Sequence, residues 1–124
     1  MDTAGVMAWV DEYERVWRED DLAALPGLFT DDARYLTSPY TPPLVGLDEI
    51  RERWSDPTPF AMRAEPVAVE GRDAVVRVEV RYTGDRPQEY RDLWVLRFAD
   101  DGRVEMFEEW AYWPGRPFTA ETPA

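Results

Sequence analysis

The sequence predicts an α+β fold in which three N-terminal helices pack on one face of a strongly curved, mostly antiparallel sheet. Three observations carry this. Val6, Val10, Tyr13 and Trp17 recur at steps of four, three and four, the spacing of one face of an amphipathic helix. Val76, Val78 and Val80 alternate with Arg77, Glu79 and Arg81, the period of two of a half-buried strand. Turn chemistry at Glu70-Gly71-Arg72-Asp73, Thr83-Gly84-Asp85 and Asp100-Asp101-Gly102 then divides the second half of the chain into four segments of strand length.

Each element follows in order. The first helix spans about Thr3 to Arg18, with Asp2 or Thr3 as its cap, and stops at Asp20-Asp21. A short second helix presents Leu22, Leu25 and Leu28 on one side, its length limited by Pro26. Phe29 to Ala33 turns the chain into a short strand, Arg34 to Thr37. Three prolines between Ser38 and Val45 make that stretch an extended loop. Gly46 leads into the third helix, Leu47 to Trp54, whose inner face is Leu47, Ile50 and Trp54. After the loop Asp56-Pro57-Thr58-Pro59, a four-strand meander runs Phe60–Val69, Ala74–Tyr82, Gln88–Phe98 and Arg103–Trp113. Residues 1–113 are expected to form a single domain, and residues 114–124 an irregular tail. A curved sheet covered by helices makes a cone with an open mouth, and such a mouth is a natural site for a ligand.

Composition bounds the chemistry. The 124 residues hold 26 acidic and 14 basic side chains, a formal net charge of −12. That field repels polyanions, so neither nucleic acid nor a membrane surface is an expected partner. The chain has no Cys and no His. Thiol nucleophiles, imidazole bases and His metal sites are therefore excluded, and proton transfer falls to carboxylates and Tyr. Neither a metal nor a cofactor is called for. No apolar run approaches the ~18 residues of a membrane span, and the acidic N-terminus does not read as a signal peptide. The expected location is cytoplasmic. Aromatic residues make up 14% of the chain, including six Trp and six Tyr, and rings in such number suit the wall of an apolar cavity as well as a core.

Several stretches resemble the nuclear transport factor 2-like, or SnoaL-like, superfamily. They are Tyr13-Glu14-Arg15-Val16-Trp17-Arg18-Glu19-Asp20-Asp21-Leu22, Leu28-Phe29-Thr30-Asp31-Asp32-Ala33-Arg34-Tyr35, Gly46-Leu47-Asp48-Glu49-Ile50, Trp94-Val95-Leu96-Arg97-Phe98 and Asp101-Gly102-Arg103-Val104. These are markers of the cone fold and say nothing of chemistry. Members include ketosteroid isomerase, limonene epoxide hydrolase, scytalone dehydratase and polyketide cyclases, beside non-enzymatic carriers. The resemblance implies work inside the cone with carboxylates and Tyr.

Strand alternation selects the residues that face inward. They are Tyr90, Asp92, Trp94, Leu96 and Phe98 on the third strand of the meander, and Phe107, Glu109, Ala111 and Trp113 on the fourth. Each strand thus places one carboxylate among apolar neighbours. Asp92 and Glu109 are the candidate acid and base, because burial and proximity push paired carboxyl groups apart in pKa. Tyr13 aligns with the oxyanion donor of ketosteroid isomerases, or is a core ring. Where those enzymes carry two catalytic Asp residues this chain has Thr37 and Trp94, which argues against steroid isomerisation. Scytalone dehydratase-like chemistry relies on His, which is missing. The epoxide hydrolase arrangement needs an Arg between the carboxylates; Arg91 and Arg97 face outward, and Arg63 is the one substitute. Trp17, Tyr35, Thr37, Trp54, Trp94 and Phe107 are the candidate substrate-binding wall. Asp31 and Asp32 are explained by turn chemistry.

The expected function is a small cofactor-independent enzyme, an isomerase, cyclase or hydrolase, acting on an apolar small molecule. The alternative is a non-catalytic small-molecule-binding or homodimeric interaction protein with the same fold. Trp110 and Tyr112, beside Leu93 and Val95 on the outer sheet face, predict a homodimer through that face.

Overall fold

The structure is a computed structural model, and it describes residues 1–54, 58–85 and 87–115. Asp56 and Pro57 of the predicted loop Asp56-Pro57-Thr58-Pro59, and the tail beyond Gly115, lie outside these residues. Helix α1 (Thr3–Glu19) is capped by Asp2, whose Oδ1 accepts the Gly5 N–H at 2.8 Å. It ends where Asp20 adopts the left-handed conformation, φ 50°, which short Asp side chains tolerate. Its buried stripe is broader than the sequence spacing alone predicts: Trp9 and Val16 join Val6, Val10 and Tyr13, and the Trp9 indole donates to the Leu28 carbonyl at 3.0 Å. A 3₁₀ turn, Leu22–Ala24, feeds α2 (Leu25–Leu28), with Pro26 in its first turn.

Strand β1 (Phe29–Leu36) follows at once, then β2 (Leu44–Val45), α3 (Gly46–Arg53), β3 (Phe60–Glu70), β4 (Asp73–Tyr82), β5 (Gln88–Phe98) and β6 (Val104–Tyr112). Two findings correct the sequence reading here. Phe29–Ala33 belongs to β1 rather than to a turn. Regular pairing with β6 breaks between Phe29 and Arg34, so Asp31 and Asp32 sit in a bulge with exposed side chains. The proline-rich stretch contains β2, which pairs with β1 at Arg34 and Tyr35. Gly46 opens α3 at φ +86°, beside the Asp31 carbonyl, a conformation open to glycine at little cost.

The sheet runs β2-β1-β6-β5-β4-β3. It is mixed, because β1 and β6 are parallel while the other neighbours are antiparallel, and it does not close on itself. β3 is an edge strand. Its register shifts between Pro66 and Ala68, where a residue without an N–H is best tolerated. The helices cover one face: α1 packs near β3, and α3 against β1. Arg18 ties α1 to the start of β3, donating to the Phe60 carbonyl at 2.7 Å with its guanidinium over the Phe60 ring. Between the layers, Val76, Val78, Leu96, Phe98, Val104 and Phe107 meet Val6, Trp9 and Val10 in a continuous apolar core.

Candidate active site

The core fills only one end of the space between helices and sheet. At the other end lies a cavity of about 650 Å³, within the usual size of a small-molecule site. α1 supplies Tyr13 and Trp17, β1 Tyr35, α3 Ile50, Arg53 and Trp54, β5 Asp92 and Trp94, and β6 Glu109. Thr37, Ser38 and Thr41 stand after β1, and Tyr82, Gln88, Tyr90, Ala111 and Trp113 are among the other residues of the wall.

The strand register brings the two carboxylates together. Asp92 pairs with Ala111 and Trp94 with Glu109, so Asp92 and Glu109 are diagonal neighbours on one face, within reach of each other's side chains. Their carboxyl groups lie at hydrogen-bonding distance. Asp92 is 4% exposed, while Glu109 is half-buried and open to the cavity. The Trp94 indole donates to Asp92 Oδ2 at 3.4 Å, but Oδ1 is buried without an N–H or hydroxyl donor. Burial raises Glu109 well above the ordinary carboxyl range, and the adjoining Asp92 carboxylate raises it further, while Arg53 opposes the rise. Burial also raises Asp92, against the hydrogen bonds from Glu109 and Trp94. Both carboxyl groups are pushed up, Glu109 the further of the two, so a proton held by the pair stays longest on Glu109 as pH rises.

The Tyr13 and Tyr35 hydroxyls are 2.9 Å apart and buried. Burial raises both well above the usual phenol value, and the nearby carboxylates add to it, so both stay protonated. Two O–H groups share one mutual hydrogen bond, which leaves one proton free to donate to a ligand oxygen. The Tyr13 ring packs 4.7 Å from both Trp54 and Trp94, which fixes the position of its hydroxyl.

All three predicted catalytic residues, Asp92, Glu109 and Tyr13, thus meet in one cavity, and Trp17, Tyr35, Thr37, Trp54 and Trp94 line it. Phe107 does not. It is fully buried behind the wall, stacked on Tyr35 (4.4 Å, 8°) and parallel to Tyr13 at 5.5 Å. It supports the two phenols rather than meeting a ligand. Arg63 points outward, since Met62 and Ala64 take the inner face of β3. The cationic group of the cavity is instead Arg53, which sequence reasoning missed. Its signal was its place three residues after Ile50, at the border of the inner helix face.

The model of the SnoaL-like domain matches residues 10–106. Among solved structures, a ketosteroid isomerase-like protein from Erwinia carotovora atroseptica SCRI1043 is 26% identical with a TM-score of 0.68, over 90% of this chain and 97% of that one. A steroid delta-isomerase from Pseudomonas aeruginosa is 25% identical, TM-score 0.64, over 92% and 84%. The epoxide hydrolase/cyclase-like enzyme SalBIII, of pyran ring formation in the polyether salinomycin, shares the fold at 17% identity, TM-score 0.72, over 86% and 88%. No curated protein matches significantly. With its three helices, its open curved sheet and the family match over most of its length, the chain belongs to the SnoaL-like domain family of the nuclear transport factor 2-like superfamily.

Proposed function

We propose that the cavity is the active site of an acid–base enzyme that acts on an apolar small molecule without a cofactor. The observation that carries this reading is the adjoining pair of carboxyl groups, Asp92 and Glu109, both raised by burial, in a cavity rich in aromatic rings. Ionised Asp92 is the base and protonated Glu109 the acid. The free O–H of the Tyr13–Tyr35 pair stabilises negative charge developing on a substrate oxygen. In each turnover one proton leaves the substrate for Asp92 and one arrives from Glu109. Because the two groups touch, the pair resets by passing the proton back. This suits reactions that conserve protons overall: isomerisation, cyclisation by an internal hydroxyl, or hydrolytic ring opening. The names of similar structures, a steroid delta-isomerase, a ketosteroid isomerase-like protein and an epoxide hydrolase/cyclase-like enzyme, fall within these classes.

The test is a carboxyl-carbon NMR titration of Asp92 and Glu109, joined to assays on enone and epoxide substrates. We expect at least one midpoint well above the ~4 of a solvated carboxyl, and loss of turnover in Asp92→Asn and Glu109→Gln. Two ordinary midpoints, or turnover that survives both substitutions, would sink the reading.

The outer sheet face supports a second proposal, that two copies pair there. Leu93 and Trp110 lie directly opposite each other and, with Tyr112, are 42%, 39% and 38% exposed, a concentration of apolar surface that favours burial against a partner. Sedimentation at micromolar concentration should give a dimer, and Trp110→Glu a monomer; a monomeric parent protein would refute the pairing.

A further inference from the structure

Arg53 is the sole cationic side chain on the described wall of the cavity. The neighbouring arginine of α3, Arg51, bonds to Asp48 at 3.2 Å. Arg53 has no ion-pair partner among the described residues. The acid one helical turn before it, Glu49, is turned back to accept the Val45 N–H. The uncharged groups Thr37, Ser38 and Thr41 lie on the same wall, and the Ser38 and Thr41 hydroxyls bond to each other at 2.6 Å. One residue on, the Trp54 indole N–H is buried without an acceptor. That atom is covered by its neighbours and gains an acceptor only if the wall shifts, whereas Arg53 is open. This side of the cavity therefore has two adjacent donors, neither bonded to an acceptor among the described residues, and no anionic group beside the hydroxyls, while the two carboxyl groups stand on the sheet.

We propose that the natural ligand is an amphipathic acid: an apolar body bearing one carboxylate, which docks on Arg53 while the body lies among the tryptophan and tyrosine rings. That the far end of the body then meets Asp92 and Glu109 rests on the catalytic reading above; the anchoring itself does not. A guanidinium pairs with a carboxylate through two parallel hydrogen bonds. The chain's net charge of −12 opposes any anion at long range. Small inorganic anions with no apolar body therefore gain too little here, and burial of rings or chains has to supply the remaining affinity.

Binding of 1-naphthaleneacetate and of its neutral isostere 1-naphthaleneacetamide, measured by calorimetry at pH 7 on the intact protein, tests this. The acid should bind at least about tenfold tighter than the amide, the worth of one charge-assisted pair. Arg53→Gln should erase that preference while leaving the amide affinity within about twofold, and Arg53→Lys should restore part of it. Equal affinities in the parent protein, or an acid preference untouched by Arg53→Gln, would overturn the proposal. The readout needs no turnover. An acid preference without carboxyl-dependent catalysis keeps the anchor and rejects the enzyme, and catalysis with equal binding does the reverse.

Discussion

The two ends of the space between helices and sheet are built from the same three elements, yet they differ in kind. At the closed end α1 contributes Val6, Trp9 and Val10, β5 contributes Leu96 and Phe98, and β6 contributes Val104 and Phe107, all buried. One or two turns or pleats further along, the same elements carry Tyr13 and Trp17, Asp92 and Tyr90, and Glu109 and Ala111, which line the cavity. At the closed end the one polar side-chain group among these residues, the Trp9 indole N–H, is already satisfied by the Leu28 carbonyl. The open end, where β1 and α3 also contribute, concentrates two carboxyl groups and four phenols, along with a guanidinium, on a scaffold held rigid by the packing beneath. The fold separates stability from chemistry along its length rather than between its elements.

Phe107 joins the two ends, and its removal has the largest effect expected here. Its ring is fully buried, stacked against Tyr35 and parallel to Tyr13. Phe107→Ala should cost about 3–5 kcal/mol, read by denaturant unfolding, because it removes apolar contact and leaves a void. The void also frees the two phenols to shift. A loss below ~1 kcal/mol would mean that the closed end is not the stabilising core described here, and the contrast between the ends would fail.

The meander was legible because alternation leaves strands little choice: charged neighbours force Val76, Val78 and Val80 inward, and the hydrogen-bonded register carries that parity to Asp92 and Glu109. What parity cannot give is depth. Phe107 and Glu109 share a face, and only their distance along β6 relative to the helices makes one core and the other cavity wall. The start of β1 was hidden for a local reason. Thr30 to Ala33 has turn chemistry, but the chain uses it in a bulge inside a strand held by parallel pairing to β6, a contact far away in sequence. β2 has two residues, too few for any period. Arg53 escaped notice because it stands at the edge of the helix stripe, where the neighbouring loop and sheet decide whether a side chain meets solvent or the cavity.

The open end should also show its character in the pH dependence of stability. Glu109 has a raised carboxyl, owing first to burial and then to Asp92. The folded state keeps a proton that the unfolded chain releases once pH passes the ordinary Glu value of about 4.3. Its contribution is therefore fully present below that value and is lost as pH rises through the raised folded one. Gln cannot ionise, and its amide still offers a donor to Asp92. Glu109→Gln should flatten the stability curve above the ordinary carboxyl range, match or exceed the parent protein toward alkaline pH, and give no advantage in acid. Melting curves across that range would read the difference, which should be smaller than the Phe107 effect and opposite in sign at high pH. Parallel curves for the two proteins would mean that Glu109 titrates as a solvated carboxyl. The open end would then be ordinary surface, with no stored proton to set it apart from the core beneath it.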